Sequence, residues 1–239
     1  MIDFNIKEIA PLCQEFGIEL NEDIAKKLNL YGNLLLEWNE KINLTAIKEP
    51  NEVLYKHFYD CILFFKNVDV KKGASVIDVG TGAGFPGMVL KIVRPDLKVT
   101  LLDSLNKRII FLNDVIQKLG LKDITAVHSR AEEGGRNKNY RERYDIACAR
   151  AVAALPTLLE YCTPYVKVGG QFVSMKGPSV SDEVALCDNA IKVLSLSKPT
   201  IICENLREDE SRAFVLFKKI SQTPPKYPRN SANISKQPL

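Results

Sequence analysis

The sequence predicts an α/β protein: a mostly parallel, seven-stranded, Rossmann-like sheet with helices on both faces, entered through a helical leader. Three observations carry this. From about residue 73, short apolar runs alternate with helix-length segments, as in strands buried on both faces. Residues 1–70 instead show the three-and-four spacing of helices. The first apolar run ends in a glycine loop, VIDVGTGAGFPG at 76–87, the connection that turns a strand into a helix beside a nucleotide.

In the leader, Ile24, Leu28, Tyr31, Leu35, Trp38 and Ile42 fall on one face of a long helix. Gly32 interrupts that helix at a cost of about 1 kcal/mol. Leu54, Phe58, Cys61 and Phe65 repeat the spacing after Pro50. These faces are expected to pack on each other and on the following domain, with Trp38 in the core. Strands are expected at Ser75–Val79, Lys98–Asp103, Ile124–His128, 144–148 and 171–175. Helices fall at 86–93, where the first turn tolerates proline, at 106–119, closed by Gly120, and at 155–165. Residues 184–194 suggest another helix, and 201–204 with 212–218 a closing antiparallel pair. QTPPKYPRN at 222–230 cannot continue a strand and reads as a semi-rigid extension.

The chain of 239 residues suffices for one substantial core and an appendage. No apolar stretch of about 18 residues is present, so no membrane span is expected. MIDFNIKEIAPL lacks the basic start and apolar block of a signal peptide. Six scattered cysteines without a C-x-x-C pair argue against a metal centre or a disulfide framework, and a cytoplasmic setting is simplest. No exposed heptad array demands a dimer, so a monomer is expected. The net charge is only +4, but its distribution is uneven. After Glu210 there is no acid, while Arg212, Lys218, Lys219, Lys226, Arg229 and Lys236 are basic, a block that attracts phosphates over about 8 Å.

Two cofactors suit the glycine loop. Gly82, Gly84 and Gly87 satisfy the dinucleotide pattern G-x-G-x-x-G. A pyrophosphate, however, wants free backbone N–H groups at the helix start, where Pro86 has none and Phe85 brings a bulky ring. S-adenosylmethionine carries no phosphate and loses nothing there. Gly80, Gly82 and Gly84 leave the backbone bare beside it, and Asp103, ending the second strand, is placed to hold a ribose. Asp78–Gly84 resembles the first motif of class I methyltransferases. Asp78 reads equally as a cofactor contact and as a cap on the loop's N–H groups. The rule that ligands lie at the carboxyl ends of parallel strands nominates Gly80, Asp103, residues 129–132, Arg150 and Lys176 together.

Seven segments then fall in one order: WNEKINLTAI (38–47), HFYDCI (57–62), VIDVGTGAGFPG (76–87), SRAEE (129–133), ARAVA (149–153), MKG (175–177) and KYPR (226–229). Together they closely resemble the bacterial 16S ribosomal RNA guanine-N7 methyltransferase G family, also called glucose-inhibited division protein B, over nearly the whole chain. The resemblance implies transfer of a methyl group from S-adenosylmethionine to N7 of a guanine in a loop of small-subunit ribosomal RNA near the decoding site. It implies cofactor contacts from Gly80, Phe85, Ala131, Glu132 and Arg150, and a methyl-transfer pocket lined by Arg130, Arg150 and Lys176. The implied partner is 16S ribosomal RNA or the small subunit. The organisation is then a cap over 1–70, a cofactor-binding domain over 71–220 and a basic tail over 221–239 supplying phosphate contacts. The ending NSANISKQPL departs from the family's usual tail.

The residues agree with that chemistry. Guanine N7 carries a lone pair and no proton at neutral pH, so its methylation needs no general base. Amine methylation usually brings an N/D-P-P-Y/F/W motif after the fourth strand, where this chain has Ala149-Arg150-Ala151. Cys148, between alanines within a strand, reads as an inert buried thiol. His57 and His128 read as packing or hydrogen-bonding residues. Arg130 is a substrate contact or a surface charge paired with Glu132 or Glu133. The rivals are a small-molecule methyltransferase of the same fold and a non-catalytic RNA-binding protein that senses S-adenosylmethionine.

Overall fold

The computed structural model describes residues 1–207 and 210–239. The leader opens with a 3₁₀ turn (Ile6–Ile9) and α1 (Ala10–Gln14), followed by the long α2 (Glu22–Ile42). Asn21 caps α2 by accepting from Ile24 N at 3.0 Å. A nearly continuous helical run follows: α3 (Pro50–Val53), a π-helical stretch (Leu54–Tyr59), α4 (Asp60–Ile62) and α5 (Phe64–Asn67). Gly32 has a packing reason: a Cβ there would lie 2.6 Å from the Phe4 ring, which closes over α2. Trp38 is half-buried, donating Nε1–H to Asp114 at 2.8 Å and meeting Phe111 edge-on, so it stitches the leader to the sheet domain.

The sheet contains β1 (Ser75–Val79), β2 (Lys98–Asp103), β3 (Ile124–His128), β4 (Tyr144–Arg150), β5 (Val166–Lys176), β6 (Thr200–Arg207) and β7 (Glu210–Lys218). Their order is β3-β2-β1-β4-β5-β7-β6. β1 to β5 are parallel, and β7 runs antiparallel between β5 and β6, the closing pair the sequence predicts. Period-two alternation divides the strands between two cores. Val76 faces the leader helices, whereas Ile77 and Val79 face the opposite layer. α6 (Gly87–Val93) and α7 (Asn106–Lys118) join the leader on one face, and α9 (Leu155–Cys162) and α11 (Asp188–Val193) lie on the other. The leader and the sheet therefore share one continuous core.

The differences from expectation have local causes. β4 and β5 extend beyond 144–148 and 171–175 because the barely patterned flanking residues are held by the neighbouring strands. The helix expected at 155–165 finishes as a 3₁₀ turn at Thr163–Tyr165, and 184–194 divides into α10 (Ser181–Ala185) and α11. α8 (Ala131–Arg136, AEEGGR) is hidden from propensity by its glycines. Those glycines are needed for close approach: a Cβ on Gly134 would lie 2.4 Å from Tyr165 Oη.

The tail is the largest difference. It is not an extension but a strap folded back onto the domain, ending in α12 (Ser231–Lys236), which Asn230 caps. Tyr227 and Ile234 are buried. Arg229 makes a two-pronged ion pair with Glu160, which is 0% exposed. Nor is the basic block after Glu210 uniformly free: Lys219 is buried, donating to the carbonyls of Thr163 and Val166 at 2.9 and 3.0 Å. Its partners are too distant in sequence for any local window to reveal.

Candidate active site

The strands run outward in both directions from β1, so the chain reverses its order between β1 and β4, and the carboxyl ends there form the crevice. Gly80 N and Thr81 N both donate to Leu102 O, at 2.8 and 3.0 Å, which folds the glycine loop across the end of β2. Gly80 has φ 71°, and a Cβ there would meet Val152 Cγ2 at 2.7 Å, so no other residue fits.

Two carboxylates fix the loop from behind. Asp78 Oδ2 accepts from Thr81 Oγ1 at 2.6 Å and from Gly87 N at 2.8 Å, while its buried Oδ1 has no partner. Burial pushes the Asp78 carboxyl up to about 6, against the pull of these hydrogen bonds. Of the two readings of Asp78, loop capping is the one its contacts realise. Asp103, 2% exposed, accepts from Gly82 N and Leu105 N at 2.9 Å each, and Arg108 lies 3.2 Å away. Its carboxylate pins the loop to β2.

The leader supplies a third support, which the sequence alone does not reveal. Tyr31 Oη donates to Ala83 O, and a Cβ on Gly84 (φ 101°) would lie 2.7 Å from that hydroxyl. Phe85 is buried, its ring stacked on His57 at 4.3 Å, with Arg150 Cζ 5.0 Å from the same centroid. Arg150 donates to Asp60 Oδ2 at 2.7 Å, Lys56 O at 3.0 Å and His57 Nδ1 at 3.1 Å. Asp60 is fully buried and also faces Arg212 at 3.3 Å. Burial and the Arg150 charge lower His57 to about 3, so it is neutral. The tautomer protonated on Nε2 satisfies both Arg150 and Thr45, the latter 3.0 Å away.

A cleft of about 170 Å³ opens in front of the loop. Val79, Gly80, Leu102 and Ser104 form its floor, α8 and the residues before it contribute Ser129, Arg130, Ala131 and Glu132, and the tail contributes Ser231. Val152 and Tyr161 complete it. Glu132 is 8% exposed yet forms no ion pair among the described residues. Most of the side chain is buried, while its oxygens are not among the buried unpartnered atoms, so the carboxylate is left open to a ligand's donors.

The expected residues thus separate into two groups. Gly80, Arg130, Ala131 and Glu132 line the cleft. Asp78, Gly82, Gly84, Phe85, Asp103 and Arg150 lie outside its lining and build the loop from behind. Lys176 also stands back, donating to Ala153 O at 2.7 Å and Glu183 Oε2 at 2.8 Å, and so anchors the segment that carries Val152 over Gly80. Arg130 is exposed and pairs with neither Glu132 nor Glu133. Tyr31, His57 and Asp60 were missed as site supports. The spacing of His57 and Asp60, three residues apart and so on one side of a helix, is the available signal.

Comparison with known proteins gives the family and the fold. The family model described as rRNA small subunit methyltransferase G matches residues 24–212. A ribosomal RNA small subunit methyltransferase G from Clostridium perfringens is 51% identical over 228 residues, covering 95% of each chain. The relative of that name from Acetivibrio thermocellus is 52% identical over 225 residues, 94% of this chain and 92% of its own. Among solved structures, a precorrin-6y C5,15-methyltransferase from Geobacter metallireducens superposes with TM-score 0.53 at 13% identity, covering 74% of this chain and 92% of its own. An S-adenosylmethionine-dependent O-methyltransferase from Thermotoga maritima gives TM-score 0.53 at 17% identity, covering 80% and 72%. At such identities the structural likeness speaks for the fold.

Proposed function

We infer from the chain's family, the rRNA small subunit methyltransferase G family, to which it belongs, that it methylates N7 of one guanine in a loop of 16S ribosomal RNA near the decoding site, with S-adenosylmethionine as donor. The observation that carries the reading is the cleft itself, with bare backbone at Gly80 and a carboxylate at Glu132 that no cation among the described residues pairs; behind it, the helix start at Pro86 offers no N–H to a phosphate. Gly80, Leu102, Ala131 and Glu132 would hold the donor, with Glu132 receiving its hydroxyl or amino hydrogens. Bound there, S-adenosylmethionine supplies an activated methyl group on sulfur.

The protein's own contribution is placement. N7 has a free lone pair, so holding it in line with the methyl group suffices, and proximity of this kind is worth about 7–11 kcal/mol. Neither His57 nor Cys148 is fit to act as a base or nucleophile: burial and the Arg150 charge make His57 a weak base, and Cys148 is enclosed in β4 with its thiol pushed up by burial. Arg130, exposed at the cleft mouth, is the basic residue free to meet RNA; Arg150 and Lys176 are positioning residues. A loop guanine presents its N7 edge without unwinding a duplex. The setting is the cytoplasm and the partner the small subunit or its RNA, met by a monomer. No described helix is long and apolar enough to cross a membrane. The test is mass mapping of methylated nucleosides in small-subunit RNA from cells with and without the gene. Loss of one 7-methylguanosine is expected, and an unchanged map would overturn the reading.

A further inference from the structure

A second cleft, of about 740 Å³, lies between the end of α8, the loop after it and the tail. Its cations are held in an unusual way. Arg141 donates to the carbonyls of Tyr227 and Thr223 at 2.7 Å each and of Gly135 at 3.1 Å. Arg136 donates to Pro228 O at 2.7 Å. Neither arginine forms an ion pair among the described residues. Carbonyl oxygens orient a guanidinium without cancelling its charge, so both keep a full positive charge at a fixed place. Lys226, lying over the Tyr227 ring, is likewise unpaired among the described residues. The one acid lining the cleft, Glu142, is matched by Lys219 at 3.2 Å. Three uncompensated positive charges remain: Arg136, Arg141 and Lys226.

An independent observation points to a ligand. Thr223 lines the same cleft, and its Oγ1 is buried with no hydrogen-bond partner. A buried hydroxyl of this kind requires an acceptor, and an anionic oxygen among three cations would provide one.

The position of the cleft identifies the anion. α8 starts at Ala131 in the donor cleft and ends at Arg136 in this one, six residues or about 9 Å along a helix. The tail spans the same interval in the opposite direction, from Lys226 to Ser231. The two clefts are thus joined by rigid elements on one side of the molecule.

We propose that this cleft binds a backbone phosphate of the RNA strand beside the target guanine, gripped by Arg136 and Lys226 beside the fixed charge of Arg141, with Thr223 Oγ1 donating. The inference rests on the ribosomal RNA reading above and adds to it a register-setting contact. It also gives the folded tail a purpose, since residues 222–226 form one wall.

The test compares wild type with Lys226→Gln, Lys226→Arg, Arg136→Gln and the double glutamine variant. Binding of deproteinised 16S ribosomal RNA is measured across a salt series, S-adenosylmethionine affinity by calorimetry, and KM and kcat for the RNA. Expected are a salt slope smaller by about 1 in the double variant, a KM raised roughly tenfold with kcat nearly unchanged, intact donor affinity, and recovery in Lys226→Arg. Unchanged RNA affinity and salt slope in folded Lys226→Gln and double variants would overturn the proposal, and would leave an acidic protein surface as the cleft's partner. If Arg136→Gln fails to fold, Lys226→Gln and Lys226→Glu decide alone, because the Lys226 side chain forms no hydrogen bond or ion pair among the described residues. The binding arm does not depend on turnover. Wild type that binds RNA through this cleft but methylates none would refute the function above and keep the phosphate site.

Discussion

Tyr31 in the leader and Ala83 in the glycine loop, 52 residues apart, are joined by a buried hydrogen bond from the phenol to the main-chain carbonyl. The leader therefore sets the shape of the glycine loop in front of which the cleft opens. Tyr31→Phe leaves a buried carbonyl without its donor and is expected to cost about 1–2 kcal/mol of stability. S-adenosylmethionine affinity should fall several-fold with the fold retained. Titration calorimetry alongside denaturant unfolding checks this, and unaltered affinity would separate the leader from the site.

Asp60 lies fully buried between Arg150 and Arg212. Removing its charge strands two cations, so Asp60→Asn should lower stability by about 3 kcal/mol. It should also loosen Phe85, whose ring Arg150 and His57 hold. Exposed Arg130→Gln should stay within about 0.5 kcal/mol of wild type while raising KM for RNA. Equal stability losses in the two variants would refute this division of roles.

Two buried groups give opposite pH dependences. His57 is lowered from 6.5 to about 3, so the native state binds fewer protons than the unfolded chain in that window, and stability is lost as pH falls through it. Asp78 is raised from 3.8 to about 6, so its contribution is present at low pH and lost as pH rises toward 6. Each supplies at most about 1.4 kcal/mol per pH unit. Relative to wild type, His57→Gln should gain stability on acidification below 6.5, and Asp78→Asn should gain it as pH rises from 4 to 6. Thermal melts over pH 4–7 report both, and parallel curves for the three proteins would contradict the assignment.

Arg229 and Glu160 fasten the tail with Glu160 wholly enclosed. Glu160→Gln should cost about 3 kcal/mol and expose the strap to protease near residue 227. Deletion of 221–239 should impair folding itself, not merely RNA contact, because Tyr227 and Ile234 belong to the buried interior. A truncated protein with wild-type melting temperature would show the strap to be dispensable.

The sheet was legible because each strand announces itself locally, as β1 does in VIDV and β2 in KVTLLD. α2 was legible through its single apolar face. That a cleft opens at Gly80 was legible from the rule about strand ends. What could not be read were contacts that close over long intervals: Tyr31 on Ala83, Arg150 on Asp60, Arg141 on the tail carbonyls. Arg150 stands where a substrate contact belongs, yet the partner that claims it comes from 90 residues earlier. α8 was obscured for the opposite reason, since Gly134 and Gly135 are poor helix formers retained for tight packing.

The residues lining the donor cleft run from Val79 to Ser231. A nascent chain emerging from the ribosome cannot present a finished cleft until synthesis has passed Ser231, however early the sheet assembles. A chain cut short before Ser231 would therefore lack part of one wall even with every strand in place.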